Sequence, residues 1–285
     1  MLSFKSFSRF FTVITAIGIF QVVPAAGHNI KPCIFFDLNG VLFDVNRKSA
    51  QKHAKFTPNT AIGYLFLDGK NPFKFKQRFL ELLEQVPCNG ITLHNAPGKI
   101  MAQENNMPNI MIAHHEGKIS GPEALERIRV KFNELRVRNT IVSERELQLL
   151  LRTAQIAFDP ELRFSLSTID TQMVALIKQL KKRGYRVCAI SNQDKAFLSM
   201  FKKQAPELYA LFNHIIISAD IGICKPHKPI FDHACYIAGV SANSAILIDD
   251  QEENVIGARA AGMGGVHHTT TQKTIELLQK LGVRV

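Results

Sequence analysis

A short apolar run that ends abruptly in an acid constrains the fold of this chain more than any other feature. The run is Cys33-Ile34-Phe35-Phe36, and Asp37 follows it directly. Four apolar residues are too few for a helix, and their aromatic content is typical of a buried parallel strand. We therefore expect Asp37 at the carboxyl end of a strand, the edge at which ligands bind in open α/β sheets. A carboxylate there can act as a nucleophile or a metal ligand, or it can simply belong to a solvated turn.

Three later apolar segments also lead to polar side chains, and each is predicted to be a strand. They are Tyr185 to Ile190, followed by Ser191 and Asn192; Ile215 to Ser218, followed by a loop with Lys225; and Ala245 to Ile248, followed by Asp249 and Asp250. The helical spacing of the apolar residues from Ile169 to Arg183 predicts a helix between strands. Strands that alternate with helices in this way indicate an α/β fold with a parallel sheet.

The polar residues that follow these strands are suited to holding a phosphate and a metal. The hydroxyl of Ser191 and the amide of Asn192 can bind phosphate oxygens, although both residue types also cap helices. A lysine such as Lys225 can neutralise a carboxylate and hold an anionic substrate. Adjacent carboxylates such as Asp249 and Asp250 repel each other unless a cation is present, and oxygen ligands are those that Mg²⁺ prefers.

The segment 49–162 is predicted to be helical and separate from the sheet. Gly121 and Pro122 open one helix, with acids in its first turn, and Ser143 with Glu146 forms a capping box before a leucine-rich helix. Because this block interrupts an α/β pattern, we interpret it as an inserted all-α cap, with residues 29–48 and 163–285 forming the core.

The net charge of +11 over 285 residues attracts anions. The Lys and Arg residues are spread along the chain without the dense block that marks a nucleic-acid-binding arm. We therefore expect an anionic metabolite, such as a small phosphorylated molecule, as the partner, and no nucleic acid. The sequence leaves the oligomeric state open.

Residues 1–25 are predicted to be a secretory signal peptide. Lys5 and Arg9 form a basic start, Phe10 to Val23 is apolar, and small residues suited to a signal peptidase follow. The apolar stretch is short for a membrane span. Export to the periplasm or the exterior is therefore expected, with no stable membrane span after cleavage; an uncleaved segment would leave the protein cytoplasmic or membrane-tethered.

Taken in order, the strand-end residues resemble the four motifs of the haloacid dehalogenase (HAD) superfamily of aspartate-nucleophile hydrolases. Its first motif, D-x-D-G-[TV]-[LV], is similar to the stretch Asp37 to Leu42. Ser191 corresponds to the second motif, Lys225 within Gly222 to Pro226 to the third, and the pair Asp249-Asp250 to the fourth. The resemblance covers roughly residues 31–268 and is greatest to the small-molecule phosphatases of the superfamily.

This resemblance implies a Rossmann-like three-layer core with a helical cap inserted after the first motif. It also implies that Asp37 attacks phosphorus and becomes an aspartyl-phosphate, while Ser191 and Lys225 hold the transferring oxygens. Mg²⁺ would be bound by Asp37, the backbone carbonyl of Asn39 and Asp250, with Asp249 acting through water. Such positioning and charge neutralisation are most of what phosphoryl transfer requires.

Asn39 departs from the pattern of the family, whose phosphatases use an Asp at this position as the general acid and base. An amide can hydrogen-bond but cannot exchange a proton usefully near neutral pH. The chain is therefore expected to be a slow Mg²⁺-dependent phosphatase or to take its acid from the cap. Two alternatives stay open: a non-catalytic protein that binds a phosphate ligand or a partner, and another aspartate-nucleophile hydrolase such as a dehalogenase.

Overall fold

The computed structural model describes residues 31–56, 61, 74–94 and 107–285. The predicted signal peptide at residues 1–25 lies outside the described residues. Within the described part, no helix is both long and apolar enough to span a membrane.

A five-stranded parallel sheet forms the centre of the core, in the strand order β5-β4-β1-β6-β7. The strands are β1 (Cys33–Phe36), β4 (Val187–Ser191), β5 (His214–Ile217), β6 (Ala245–Asp249) and β7 (Gly264–His267). The central strand, β1, pairs through Phe36 with Ala189 of β4 on one side and with Ile248 of β6 on the other. The predicted α/β class with a parallel sheet is therefore confirmed.

Alternate residues of β1 enter two different hydrophobic clusters. Ile34 and Phe36 belong to one cluster, whereas Cys33 and Phe35 belong to the other. Because successive side chains of a strand point to opposite faces, both faces of the sheet are covered, and the sheet is the middle of three layers.

The helices of the core connect successive strands. In chain order they are α7 (Thr171–Lys182), α8 (Lys195–Gln204), α9 (Pro206–Tyr209), α10 (Ser218–Ile221), α11 (Lys228–Ala238), α12 (Glu252–Ala260) and α13 (Thr271–Lys280). Helix α7 contributes Met173, Ile177 and Leu180 to the same cluster as Ile34, while α11 packs Phe231 on the opposite face. The 3-10 helix Ala242–Ser244 leads into β6.

A two-stranded antiparallel ribbon marks where the chain leaves the core and returns to it. Its strands are β2 (Phe43–Val45) and β3 (Ser167–Ile169), and Phe43 is opposite Ile169. The described helices between the two strands are α1 (Arg47–Ala54), α2 (Phe75–Glu84), α3 (Asn109–His115), α4 (Gly121–Val137), α5 (Glu144–Phe158) and α6 (Pro160–Leu166).

Helices α2 to α5 pack around a hydrophobic cluster of their own, which includes Leu82, Phe132 and Leu150. At the start of α5 the Ser143 side chain accepts a hydrogen bond from the Glu146 backbone N–H at 3.0 Å, as the capping box predicts. Helices α1 and α6 run across the expected boundaries at residues 48 and 163, and the division into core and cap stays a prediction. Cys33, Cys88, Cys188 and Cys235 form no disulfide in the described structure.

Candidate active site

The carboxyl ends of β1, β4 and β6 bring three of the predicted site residues to one edge of the sheet. Asp37 follows β1, Ser191 ends β4 and Asp249 ends β6, and all three are buried. Since β1 lies between β4 and β6, Asp37 occupies the centre of this edge.

Asp37 is held through a single carboxylate oxygen. Its Oδ1 atom accepts hydrogen bonds from the Leu38 backbone N–H at 2.7 Å and from the Ser191 hydroxyl at 2.7 Å, and it lies 3.2 Å from Lys225 Nζ. Burial raises the pKa of Asp37 more than the Lys225 ammonium lowers it, and the charge of Asp249 adds to the rise. The contacts to Oδ1 fix the orientation of the carboxylate.

Lys225 is a fully buried ammonium between two carboxylates. Its Nζ atom lies 2.5 Å from Oδ2 of Asp249 and also contacts Asp37. Burial alone would lower the pKa of Lys225, but the charges of Asp249 and Asp37 and the hydrogen bonds to them raise it above its usual value. Lys225 is therefore charged at neutral pH and partly neutralises both acids.

Asn192 fixes the backbone of Lys225 from both sides. The Asn192 side chain accepts a hydrogen bond from the Lys225 N–H at 2.8 Å and donates one to the Lys225 carbonyl at 3.0 Å. Gly257 of α12 allows a close approach to the same loop, because a Cβ atom there would lie 2.4 Å from the Pro226 carbonyl oxygen. The sequence analysis predicts phosphate binding by Asn192; the structure gives its amide a positioning contact that no local pattern indicates.

The acid pair at the end of β6 divides into one carboxylate with several partners and one with few. Asp249 Oδ1 accepts hydrogen bonds from the Gln251 N–H and the Asn254 side chain, both at 2.9 Å, while Oδ2 contacts Lys225. Asp250 Oδ1 is buried and finds no hydrogen-bond partner among the described residues. Burial, followed by the charges of Asp37 and Asp249, raises the pKa of Asp250 to about 7.

The three carboxylates form a group that fits a divalent cation. One oxygen each from Asp37, Asp249 and Asp250 lies within 4.8 Å of the others. The unpartnered Oδ1 of Asp250 and the all-oxygen donor set match the preference of Mg²⁺ for hard ligands. Gly40 lies at the same place with a φ of +77°, and a Cβ atom there would come within 2.3 Å of the Asp250 carboxylate. A side chain at position 40 would therefore obstruct the acid group.

Asn39 is half-buried in the turn between Asp37 and Gly40. The next residue, Gly40, donates its N–H to the Phe43 carbonyl at 2.7 Å, which closes the turn. Asn39 thus lies beside the group of three carboxylates, and it has an amide at the position where a carboxyl group could act as general acid and base.

The described helices α1 to α6, between β2 and β3, are called the helical unit below. The structure also shows a contact between this helical unit and the core that the sequence did not predict. His114 Nε2, at the end of α3, lies 2.9 Å from Oδ2 of Asp194, the residue that caps the N-terminus of α8. Burial alone would raise the pKa of Asp194, but the hydrogen bond and charge of His114 lower it below its usual value. A capping Asp just after Ser191 is visible in the sequence, but no local pattern connects it to a histidine of another segment.

A parallel α/β sheet with a buried carboxylate, a hydroxyl, an ammonium and an acid pair at its carboxyl edge defines a hydrolase-like core. Residues 31–262 match the family model of haloacid dehalogenase-like hydrolases. The chain belongs to this family, as its motifs predict.

Three similar proteins can be compared with this chain. A sesquiterpene phosphatase of Aspergillus oryzae is 34% identical over 114 residues, 40% of this chain and 58% of the relative. A HAD family enzyme of Bacteroides thetaiotaomicron, solved in complex with magnesium and inorganic phosphate, has a TM-score of 0.50 at 20% identity, covering 84% of this chain and 94% of that one. A dehalogenase has a TM-score of 0.52 at 18% identity, covering 90% of this chain and 100% of that one.

These comparisons differ in what they establish. The chain matches less than two thirds of the length of the curated phosphatase, and the two structural similarities, both at or below 20% identity, show the fold alone. The family model establishes membership of the hydrolase family, and the sequence similarity to a phosphatase extends over part of its length.

Proposed function

We propose that this protein is a Mg²⁺-dependent phosphatase that acts on a small phosphorylated metabolite through an aspartyl-phosphate at Asp37. The observation that carries the proposal is the arrangement of Asp37, whose Oδ1 contacts both Ser191 and Lys225 while one of its oxygens lies within 4.8 Å of Asp249 and Asp250 oxygens. The phosphatase relative and the magnesium and phosphate bound by a structural neighbour support it.

In the first step, Asp37 attacks phosphorus. The contacts of its Oδ1 hold the carboxylate in place and leave Oδ2 for the attack. Ser191 and Lys225 are placed to bind oxygens of the transferring group, and Lys225 brings positive charge to a site that is largely removed from water.

Bound Mg²⁺ would neutralise charge on the transferring oxygens, which is the main contribution of a divalent cation to phosphoryl transfer. The residues that would hold it are Asp37, the Asn39 backbone carbonyl and Asp250. Because both oxygens of Asp249 already have partners, this residue would support the ion from outside. Asp37, Asn39 and Asp250 would therefore bind the ion directly, and Asp249 would act on it indirectly.

The second step is hydrolysis of the aspartyl-phosphate by water, which requires a base. Asn39 cannot accept this proton, nor can it donate one to the leaving oxygen in the first step. We therefore infer a slow enzyme. The helical unit between β2 and β3 would act as the cap that excludes water and selects the substrate.

Asn39 also supports a second candidate function. With an amide at position 39, the site can keep its phosphate and metal ligands without turnover, as a protein that binds a phosphorylated ligand. A dehalogenase is favoured less, because the acid group formed by Asp249 and Asp250 suits a cation.

Release of nitrophenol from nitrophenyl phosphate tests the proposal. We expect release that depends on added Mg²⁺ and is abolished in Asp37→Asn. Asp44→Asn serves as the matched control, because Asp44 is an exposed acid on β2. Binding of inorganic phosphate without any release would instead support the second candidate, and halide release from a haloacid without metal would support a dehalogenase.

A further inference from the structure

Arg163 is an arginine of the helical unit that the proposed reaction does not yet use. It lies on α6, which the next residue, Phe164, anchors to the core: the Phe164 ring centroid is 5.4 Å from that of Phe43 and 6.5 Å from that of Phe197. The Leu166 carbonyl accepts a hydrogen bond from the Asn46 N–H at 2.9 Å. Helix α6 is thus fixed against both the segment after Asp37 and the helix after Ser191.

Arg163 is a half-buried residue, and within the described ranges no carboxylate oxygen lies within 4.0 Å of its guanidinium. Burial lowers the pKa of Arg163, and the charges of Asp37 and Asp194 oppose this effect. This agrees with the packing of α6, which places Arg163 beside the segments that follow Asp37 and Ser191. Partial removal of a charge from water has a cost, and pairing with an anionic ligand would compensate for it.

Neither of the two acids that act on Arg163 is available to neutralise it. Asp194 already binds His114 at 2.9 Å and accepts the Phe197 N–H at 2.8 Å. Asp37 is held by Ser191 and Lys225. Arg163 is therefore a cation of the helical unit whose charge is not matched by an adjacent acid.

A second polar group without a described partner lies at the end of α3, where the His115 ring centroid is 5.9 Å from that of His114, the residue that binds Asp194. His115 is buried, and no described residue hydrogen-bonds to its Nδ1 atom. Burial, then the charges of His114 and Arg163, lower the pKa of His115 to about 3. His115 is therefore neutral at physiological pH, and it can donate or accept a hydrogen bond beside the guanidinium.

The positive charge that the core supplies to a phosphoryl group comes from Lys225 and from a cation at the acid group. Arg163 approaches the same region from the helical unit. We propose that Arg163 binds a second anionic group of the substrate, a carboxylate or another phosphate, so that the substrate is a phosphomonoester with a further negative charge. A guanidinium is suited to this role because it pairs with both groups through two parallel hydrogen bonds. The proposal rests on the proposed function for the phosphate end of the ligand.

Two probes that differ in one group test this inference. 2-Phosphoglycolate carries a carboxylate where ethyl phosphate carries a methyl group. Calorimetric titration in the presence of Mg²⁺ should show tighter binding of 2-phosphoglycolate to the native protein by about 10- to 100-fold, the range for a charge-assisted hydrogen bond. Arg163→Gln should bring this ratio close to one and leave the affinity for ethyl phosphate unchanged.

Two further variants separate this role from a general effect of charge or folding. Arg163→Lys keeps the charge without the paired donors and should retain part of the preference. Arg145→Gln removes an exposed cation of α5 and should retain all of it. An equal loss of affinity for both probes in Arg163→Gln would place Arg163 on the transferring phosphate and overturn the proposal, as would a ratio near one in the native protein.

Binding also distinguishes this inference from the proposed function, because titration does not require turnover. A preference for 2-phosphoglycolate that depends on Arg163, without phosphate release from either probe, would support the second-anion site and refute the phosphatase. Phosphate release from both probes, without any difference in their affinities, would support the phosphatase and refute the second-anion site.

Discussion

Replacing Asn39 by Asp restores a proton donor and acceptor at the position where the reaction needs one. The leaving oxygen requires a proton as its bond to phosphorus breaks, and water requires a base before it attacks the aspartyl-phosphate. Asn39 is half-buried in the turn that follows Asp37, and Asp has almost the same volume as Asn. The substitution therefore changes the chemistry of the turn without changing its packing.

The size of the expected gain follows from the charges around the turn. General acid–base catalysis contributes about 10²- to 10⁴-fold in rate. The new carboxylate would join Asp37, Asp249 and Asp250, which already lie together, and these like charges oppose its ionisation. We therefore expect a gain at the low end, about 10²-fold in steady-state rate, which corresponds to about 2.7 kcal/mol of barrier.

Nitrophenyl phosphate separates the two steps, because nitrophenol leaves without protonation. With Mg²⁺ present, the native protein should release a burst of one nitrophenol per active site and then turn over slowly, as long as phosphorylation is faster than hydrolysis. Asn39→Asp should reduce the burst and raise the steady rate. Asn243→Asp adds the same charge at an exposed position and should leave both unchanged. Equal or lower activity of Asn39→Asp would refute the reasoning.

Three further outcomes can be measured. Asp250→Ala should abolish Mg²⁺ binding by calorimetry, because it removes a ligand whose oxygen has no other partner in the described structure, whereas Asp44→Ala should not; affinity at the native level would exclude Asp250 as a ligand. Mass spectrometry of protein from its native host should find a chain that begins near Ala26, and an intact Met1 in a soluble cytoplasmic fraction would refute export. The pKa of His115 is about 3 in the folded protein and 6.5 in its ordinary state, so protonation of this residue favours unfolding. The stability associated with its neutral form is complete above pH 6.5 and is lost as the pH falls towards 3. His115→Asn should therefore reduce the loss in free energy of unfolding between pH 7 and pH 5 by about 2 kcal/mol, measured by urea denaturation, and an unchanged loss would contradict this assignment.

The strand ends of the core could be predicted because their signal is local. The apolar run before Asp37 is β1, and the segment from Ala245 to Ile248 is β6 except for its last residue. The pattern did not predict β7, because its first two residues, Gly264 and Gly265, interrupt the apolar run. Pairing with β6 determines that strand: a Cβ atom at Gly264 would lie 3.0 Å from the Ile246 side chain.

The contacts that position the candidate site could not be predicted, because they join distant segments. The Asn192 amide fixes the Lys225 backbone, and His114 binds Asp194, but nothing in the spacing of these residues relates one to the other. The proposed role of Arg163 could not be predicted for the same reason. Its importance depends on how α6 packs against the core, and a lone arginine in a short helix carries no local signal.

The hydrogen bonds and ionic contacts of the site are distributed unequally among its three acids. Asp249 has a partner for each oxygen and Asp37 has three contacts on Oδ1, whereas Asp250 Oδ1 has no hydrogen-bond partner among the described residues. The Lys225 ammonium contacts Asp37 and Asp249, and its charge also lowers the pKa of Asp250, but by less than burial and the two neighbouring carboxylates raise it. Burial, followed by the charges of Asp37 and Asp249, raises the pKa of Asp250 to about 7. A divalent cation beside Asp250 would remove the remaining repulsion, and for this reason metal binding and phosphate binding should depend on each other in this protein.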